Sequence, residues 1–71
     1  MTVTLKAGAW ARRYLEPTEF TLPEGATIAD LLALSGVSEA GIAAINGSAV
    51  SRQAPLAEGD KIQLFPVVIG G

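Results

Sequence analysis

Leu22-Pro23-Glu24-Gly25-Ala26-Thr27-Ile28-Ala29-Asp30-Leu31-Leu32-Ala33-Leu34-Ser35-Gly36 reads as a strand end, a turn and one short helix in immediate succession. Pro23-Glu24-Gly25 supplies the turn, because Pro presets φ and Gly accepts conformations other residues avoid. Thr27 suits an N-cap, and Asp30 three residues later completes a capping-box spacing that also complements the helix dipole. Ile28, Leu31, Leu32 and Ser35 recur at i, i+3, i+4 and i+7, an apolar stripe with a polar last member. Gly36 can take the left-handed conformation that closes a helix. The predicted helix, about Thr27 to Ser35, is too short to stand alone in water and needs a sheet to cover its stripe.

That sheet is legible on either side. In Thr2 to Lys6, Val3 and Leu5 alternate with Thr2, Thr4 and Lys6, the pattern of a half-buried strand. Glu19 to Leu22 alternates again, with Phe20 and Leu22 inward. The two segments are expected to pair antiparallel across a long connector, Ala7 to Pro17, that holds Trp10 and Tyr14. Downstream, Ala43-Ala44-Ile45 runs into Asn46-Gly47, a strong two-residue hairpin signal, and Ser48-Ala49-Val50 returns. Arg52 to Ala57 is a connector whose Leu56 dips into the core, and Glu58-Gly59-Asp60 is a turn. Lys61 to Phe65 is the last strand, with Ile62 and Leu64 on one face and Gln63 and Phe65 on the other. Pro66 cannot donate a ladder hydrogen bond, so pairing is expected to loosen there. Residues 66–71 are then expected to leave the body as a tail reaching ~20 Å when extended.

The expected fold is α+β: one domain, residues 1–71, with a mixed sheet of four to five strands on one main helix. If the first and last strands lie parallel in the sheet centre, the connection between them carries the helix, as crossover rules require. A chain of 71 residues that is 49% hydrophobic and 17% charged is expected to fold rather than stay disordered.

Composition excludes most chemistries. The chain has no Cys and no His, which removes thiol nucleophiles, Ser–His triads, thiolate–zinc sites and the usual neutral-pH proton shuttle. Seven carboxylates (Glu16, Glu19, Glu24, Asp30, Glu39, Glu58 and Asp60) sit mostly beside Gly or Pro or on polar faces, where turn and cap roles suffice. No phosphate-cradling Gly-rich loop occurs. Five cationic side chains at a net charge of −2 are too few for a nucleic-acid footprint. No apolar run approaches 18 residues, and the N-terminus lacks a signal peptide's uniform apolar stretch, so neither a membrane nor a metal partner is expected and the default location is cytoplasmic.

The chain stops at Val68-Ile69-Gly70-Gly71. Without Cβ atoms, two glycines can enter a slot too narrow for any side chain and deliver the α-carboxylate into another protein's active site. A solvated end is the plainer alternative. Leu22-Pro23-Glu24-Gly25-Ala26-Thr27-Ile28-Ala29-Asp30-Leu31-Leu32, then Ile45-Asn46-Gly47, then Leu56-Ala57-Glu58-Gly59-Asp60-Lys61-Ile62, then Phe65-Pro66-Val67-Val68-Ile69-Gly70-Gly71, taken in this order and spacing, resemble the MoaD/ThiS sulfur carriers, ubiquitin-like β-grasp proteins. The resemblance covers the whole chain.

It implies that the carboxylate of Gly71 is adenylated by an E1-like enzyme that uses ATP. A sulfur donor such as a cysteine desulfurase or rhodanese then supplies the sulfur of a thiocarboxylate. The sulfur passes on within a synthase, either beside the molybdopterin synthase large subunit or with a thiazole synthase. On this resemblance Gly71 is the acyl carrier, Gly70 gives clearance, and Val67, Val68 and Ile69 lie extended along the partner's channel. Phe65 and Pro66 belong to the docking surface beside it. The chain binds no cofactor of its own and is not itself an enzyme. Trp10 and Tyr14 either pack over the sheet's edge or meet a partner; Arg12 and Arg13 either steer toward an acidic partner or are simply solvated. The molybdopterin branch often carries two prolines before the tail, whereas here Val67 follows Pro66. The long Ala7–Pro17 connector still resembles that branch more than the thiamine branch. A ubiquitin-like protein modifier and a plain interaction module are the other readings.

Overall fold

A computed structural model describes residues 1–37 and 40–66. Among the described residues, five strands, one α-helix and one 3₁₀ turn follow one another: β1 (Thr2–Lys6), the 3₁₀ turn (Ala9–Ala11), β2 (Thr18–Thr21), α1 (Ile28–Ser35), β3 (Ala40–Ile45), β4 (Ser48–Val50) and β5 (Lys61–Pro66).

The helix begins and ends where the sequence predicts. Thr27 Oγ1 accepts from Asp30 N at 3.4 Å, and Thr27 N donates to the Asp30 carboxylate at 2.9 Å, a complete capping box. Two further N-terminal amides, of Ile28 and Ala29, donate to Ala54 O and Arg52 O of the connector before β5. Gly36 closes the helix at φ 78°, and its N–H donates to Leu32 O at 3.0 Å. Ile28, Leu31, Leu32 and Ser35 are the buried stripe. Ser35 tolerates burial because its hydroxyl donates to Leu32 O at 3.0 Å and accepts from Val37 N at 3.3 Å.

The sheet order is β2-β1-β5-β3-β4. β1 and β5 run parallel at its centre, with Leu5 opposite Ile62, and the crossover between them carries α1. β2 pairs antiparallel with β1, and β3 pairs antiparallel with both β5 and β4. Asn46 at φ 49° and Gly47 at φ 90° form the β3–β4 turn, both in the positive-φ region that such a tight hairpin demands. Val3, Leu5, Leu22, Ile28, Leu31, Leu32, Leu56, Ile62 and Leu64 meet in one core between the sheet and the helix. The architecture is a β-grasp, one helix on a mixed sheet, as the resemblance implies.

Three expectations need correction. β3 starts at Ala40, earlier than Ala43, because Ile42 and Ala43 continue the ladder against Phe65 and Leu64. β2 spans Thr18–Thr21 instead of Glu19–Leu22, although Leu22 is buried and its N–H still donates to Met1 O at 2.9 Å. Pro66 does not leave the body. It ends β5 opposite Ala40, across an irregularity between Ala40 and Ile42. Asn46 N donates to Lys61 O, so the alternation of the ladder turns Lys61, Gln63 and Phe65 toward β3 and Pro66 away from it. The missing N–H therefore costs no bond to β3, and a bulge is where sheets accept proline.

Candidate functional site

The candidate site is the C-terminal end of β5 and the sheet face around it. Side chains alternate along β5, so Leu64 and Phe65 have opposite fates. Leu64 is fully buried under α1, whereas Phe65 retains 45% of its surface on the face turned away from the helix. Ile42 stands directly opposite Phe65 on β3 and is 52% exposed. Directly opposed residues share a face, so the two form one apolar patch at the point where β5 ends. Ala44 lies on the same face opposite Gln63; it is buried but stands apart from the helix-side core.

Cross-strand register arranges the rest of this face in rows. Glu19, Thr4 and Lys61 make one row across β2, β1 and β5. Lys6, Gln63 and Ala44 make the next across β1, β5 and β3. Gln63 is anchored, its amide donating to Ala7 O and Leu64 O, both at 3.2 Å. A shallow cleft of about 470 Å³ opens over these rows, lined by Thr4, Lys6, Pro17, Asn46, Lys61 and Gln63 among others.

Of the residues singled out from the sequence, Phe65 and Pro66 stand at this end of β5. Val67, Val68, Ile69, Gly70 and Gly71 lie outside the described residues. Trp10 and Tyr14 are partly buried against the core, which favours packing over partner contact. The Tyr14 hydroxyl donates to Ser35 O at 2.7 Å, its ring meets Phe20 edge-on at 5.4 Å, and Trp10 Nε1 donates to Ala7 O at 3.2 Å. Arg13 brings its guanidinium beside Gly36, supplying at the helix C-terminus the positive charge that the last turn of α1 lacks. Arg12 is exposed, at φ 58°.

Ile42 escapes sequence reading because Ala40-Gly41 gives little strand signal before it. The patch it makes with Phe65 emerges only from the β3–β5 register. Among the described residues no three acidic groups converge to hold a metal, and no helix is long and apolar enough to cross a membrane. What this arrangement offers is an exposed apolar patch at the end of β5.

Comparison with known proteins decides the family. The family model described as the ThiS family matches residues 8–71. The chain belongs to the ThiS family. Among solved structures, this ThiS-family chain is similar to a Pyrococcus furiosus protein described as molybdopterin converting factor, subunit 1. The TM-score is 0.76 at 29% identity, over 94% of this chain and 98% of that one. It is also similar in fold to SAMP1 from Haloferax volcanii, with a TM-score of 0.75 at 24% identity over the whole of both chains. A second structure of that organism's small archaeal modifier protein 1 gives a TM-score of 0.71 at 23% identity, over 94% and 98% of the two chains. A search of curated proteins finds no match. Sulfur carriage is thus the functional class of the ThiS family, to which the chain belongs.

Proposed function

We propose that this chain is a sulfur carrier whose working group is the α-carboxylate of Gly71. The observation that carries the reading is the ThiS-family match running through Gly70 and Gly71 on a β-grasp body. With no Cys in the chain, sulfur has no side chain to ride on as a persulfide. A carboxylate is a poor acyl donor until one oxygen becomes a good leaving group. An E1-like partner meets that need: a Gly71 carboxylate oxygen attacks the α-phosphorus of ATP, and pyrophosphate departs. A persulfide sulfur then attacks the carbonyl carbon and expels AMP. Thiol reduction of the remaining S–S bond leaves the thiocarboxylate. The chain supplies the carried group, and its partners supply ATP and catalysis.

Around this carbon, Gly70 gives clearance while Val67, Val68 and Ile69 run extended in the partner's channel. Phe65 and Pro66 dock beside the channel mouth. The receiving pathway is molybdopterin synthesis, beside a synthase large subunit. The 29%-identical relative described as molybdopterin converting factor, subunit 1, supports this assignment. The name of the matching family supports a second reading, delivery to a thiazole synthase.

ATP–pyrophosphate exchange tests the activation step. The full chain is expected to drive exchange with a cognate adenylating enzyme, and a chain lacking Gly70 and Gly71 is expected not to, at an unchanged thermal midpoint. Exchange that survives the deletion would remove Gly71 from the mechanism. Pathway assignment follows from which purified acceptor, the pterin synthase subunit or the thiazole synthase, accepts sulfur from the loaded chain.

A further inference from the structure

Asn46 is the one asparagine of the chain, and Gly47 follows it in an exposed turn. In a mobile chain that dipeptide is chemically unstable. Gly47 N attacks the side-chain carbon Cγ of Asn46, and a C–N bond forms. The side-chain nitrogen departs as ammonia with the proton that Gly47 N gives up. Water then opens the cyclic imide at either carbonyl, leaving an aspartate or an isoaspartyl link in which the backbone runs through Cβ. Glycine hastens the attack because no Cβ crowds its nitrogen. Water reaches this turn freely, so burial gives Asn46 no protection.

Conformation protects it instead. Asn46 at φ 49° and Gly47 at φ 90° match a type I′ turn, whose first central residue has ψ of about +30°. Ring closure needs Gly47 N to eclipse Cβ, which for an L residue means ψ of about −120°, the type II′ value. The side chain is also held by both of its polar atoms. Asn46 Oδ1 accepts from Lys61 N at 3.1 Å, and Nδ2 donates to Asp60 Oδ1 at 3.4 Å. Asn46 N donates to Lys61 O at 2.9 Å. The side-chain carbonyl thus stands in for a backbone carbonyl and extends the β3–β5 ladder one pair beyond Ile45 and Ile62. Asp60 is fixed in its turn, since Oδ2 accepts from Ala57 N at 2.8 Å. This clamp joins the β3–β4 turn, the start of β5 and the turn before it. Cγ reaches Gly47 N only when both side-chain bonds break and the 46–47 peptide flips.

We infer that Asn46 is a deamidation site gated by the fold. The closed turn preserves the amide, conversion proceeds through opening of the β3–β4 turn, and the product no longer closes it as before. An aspartate at this position loses the donor to Asp60 and sets two carboxylates face to face. An isoaspartyl link adds a backbone atom to a two-residue turn and breaks its register. Gly71 plays no part in this chemistry.

The test incubates the full chain in mildly alkaline buffer, folded and in guanidinium chloride. Intact mass and enzymatic methylation of isoaspartyl groups follow the conversion, and peptide mapping assigns it to residue 46. The folded chain should convert slower by about tenfold or more, because two side-chain hydrogen bonds and the turn must open before the ring can close. Equal rates would overturn the gate. Asp60→Ala removes the acceptor of Asn46 Nδ2 and should speed conversion in the folded chain. An unchanged rate, in a variant whose thermal midpoint lies above the incubation temperature, would overturn the role of the clamp. If Asp60→Ala does not stay folded, the wild-type ratio decides alone. Asn46→Asp reproduces one product and should melt below the wild type. A midpoint at or above the wild-type value would overturn the claim that conversion unlocks the turn.

Discussion

Leu64 and Phe65 are neighbours in sequence with opposite assigned roles, so truncating each to Ala separates core from docking face. Leu64 is fully buried on the central strand, between β1 and β3 and beneath α1. Leu64→Ala removes its outer carbons and leaves a cavity, at a cost of about 3–4 kcal/mol. For 71 residues the whole stability is roughly 4–11 kcal/mol, so this one change removes about a quarter of it or more. Each kcal/mol lowers the midpoint by about 7 °C at this size, so Leu64→Ala should melt some 20 °C or more below wild type, by a rough reckoning. Phe65 keeps 45% of its surface in solvent and faces Ile42 across an open sheet face, where no closed cavity can form. Phe65→Ala should cost about 1 kcal/mol, the burial of part of one aromatic side chain. Far-UV circular dichroism melts of the two variants decide the matter. Equal losses, or a larger loss at Phe65, would refute the assignment of faces. Binding of the adenylating enzyme should show the reverse order when measured well below both midpoints, with Phe65→Ala the weaker binder.

Other expectations follow from the connectors and caps. Tyr14→Phe deletes the hydroxyl that donates to Ser35 O and should cost about 0.5–1.5 kcal/mol in urea unfolding. No loss would mean that this bond does not hold the Ala7–Pro17 connector to the helix. Thr27→Ala breaks the capping box and should cost about 1 kcal/mol by the same assay, while Thr27→Ser should recover most of it. Gly36→Ala should cost about 1–2 kcal/mol because φ is 78° there. The added Cβ would stand 3.0 Å from Arg13 Nη1, the mobile end of a long side chain. Removing Arg13 as well should therefore not restore stability, and full recovery in the double variant would place the cost in the steric contact.

Much of the fold could be read locally. Thr27, Asp30 and Gly36 mark the helix ends by chemistry contained within α1, and Asn46-Gly47 marks its hairpin by backbone conformation. Val3, Leu5, Ile62 and Leu64 declare their buried face by alternation alone. What escaped depends on partners distant in sequence. Ala40, Gly41 and Ile42 carry weak strand preference, and they become strand because β5 offers a ladder. Pro66 argues locally for a break, yet its place opposite Ala40 turns the missing donor away from β3. The two-sidedness of Trp10 and Tyr14 resolves only when Ser35 O and Ala7 O are found as their acceptors. For the candidate site, Phe65 was legible as an outward strand residue, whereas Ile42 and the shared face of Lys6 and Lys61 required the sheet order.

The direct measurement is the intact mass of the chain after incubation with ATP, a cognate adenylating enzyme and a persulfide sulfur donor. A sulfur carrier should gain the mass of one sulfur in place of one oxygen. Fragmentation should place the change at Gly71, and omission of ATP should abolish it. An unchanged mass under conditions that load a known carrier, or sulfur found at any other residue, would contradict the assignment of Gly71 as the group that carries sulfur.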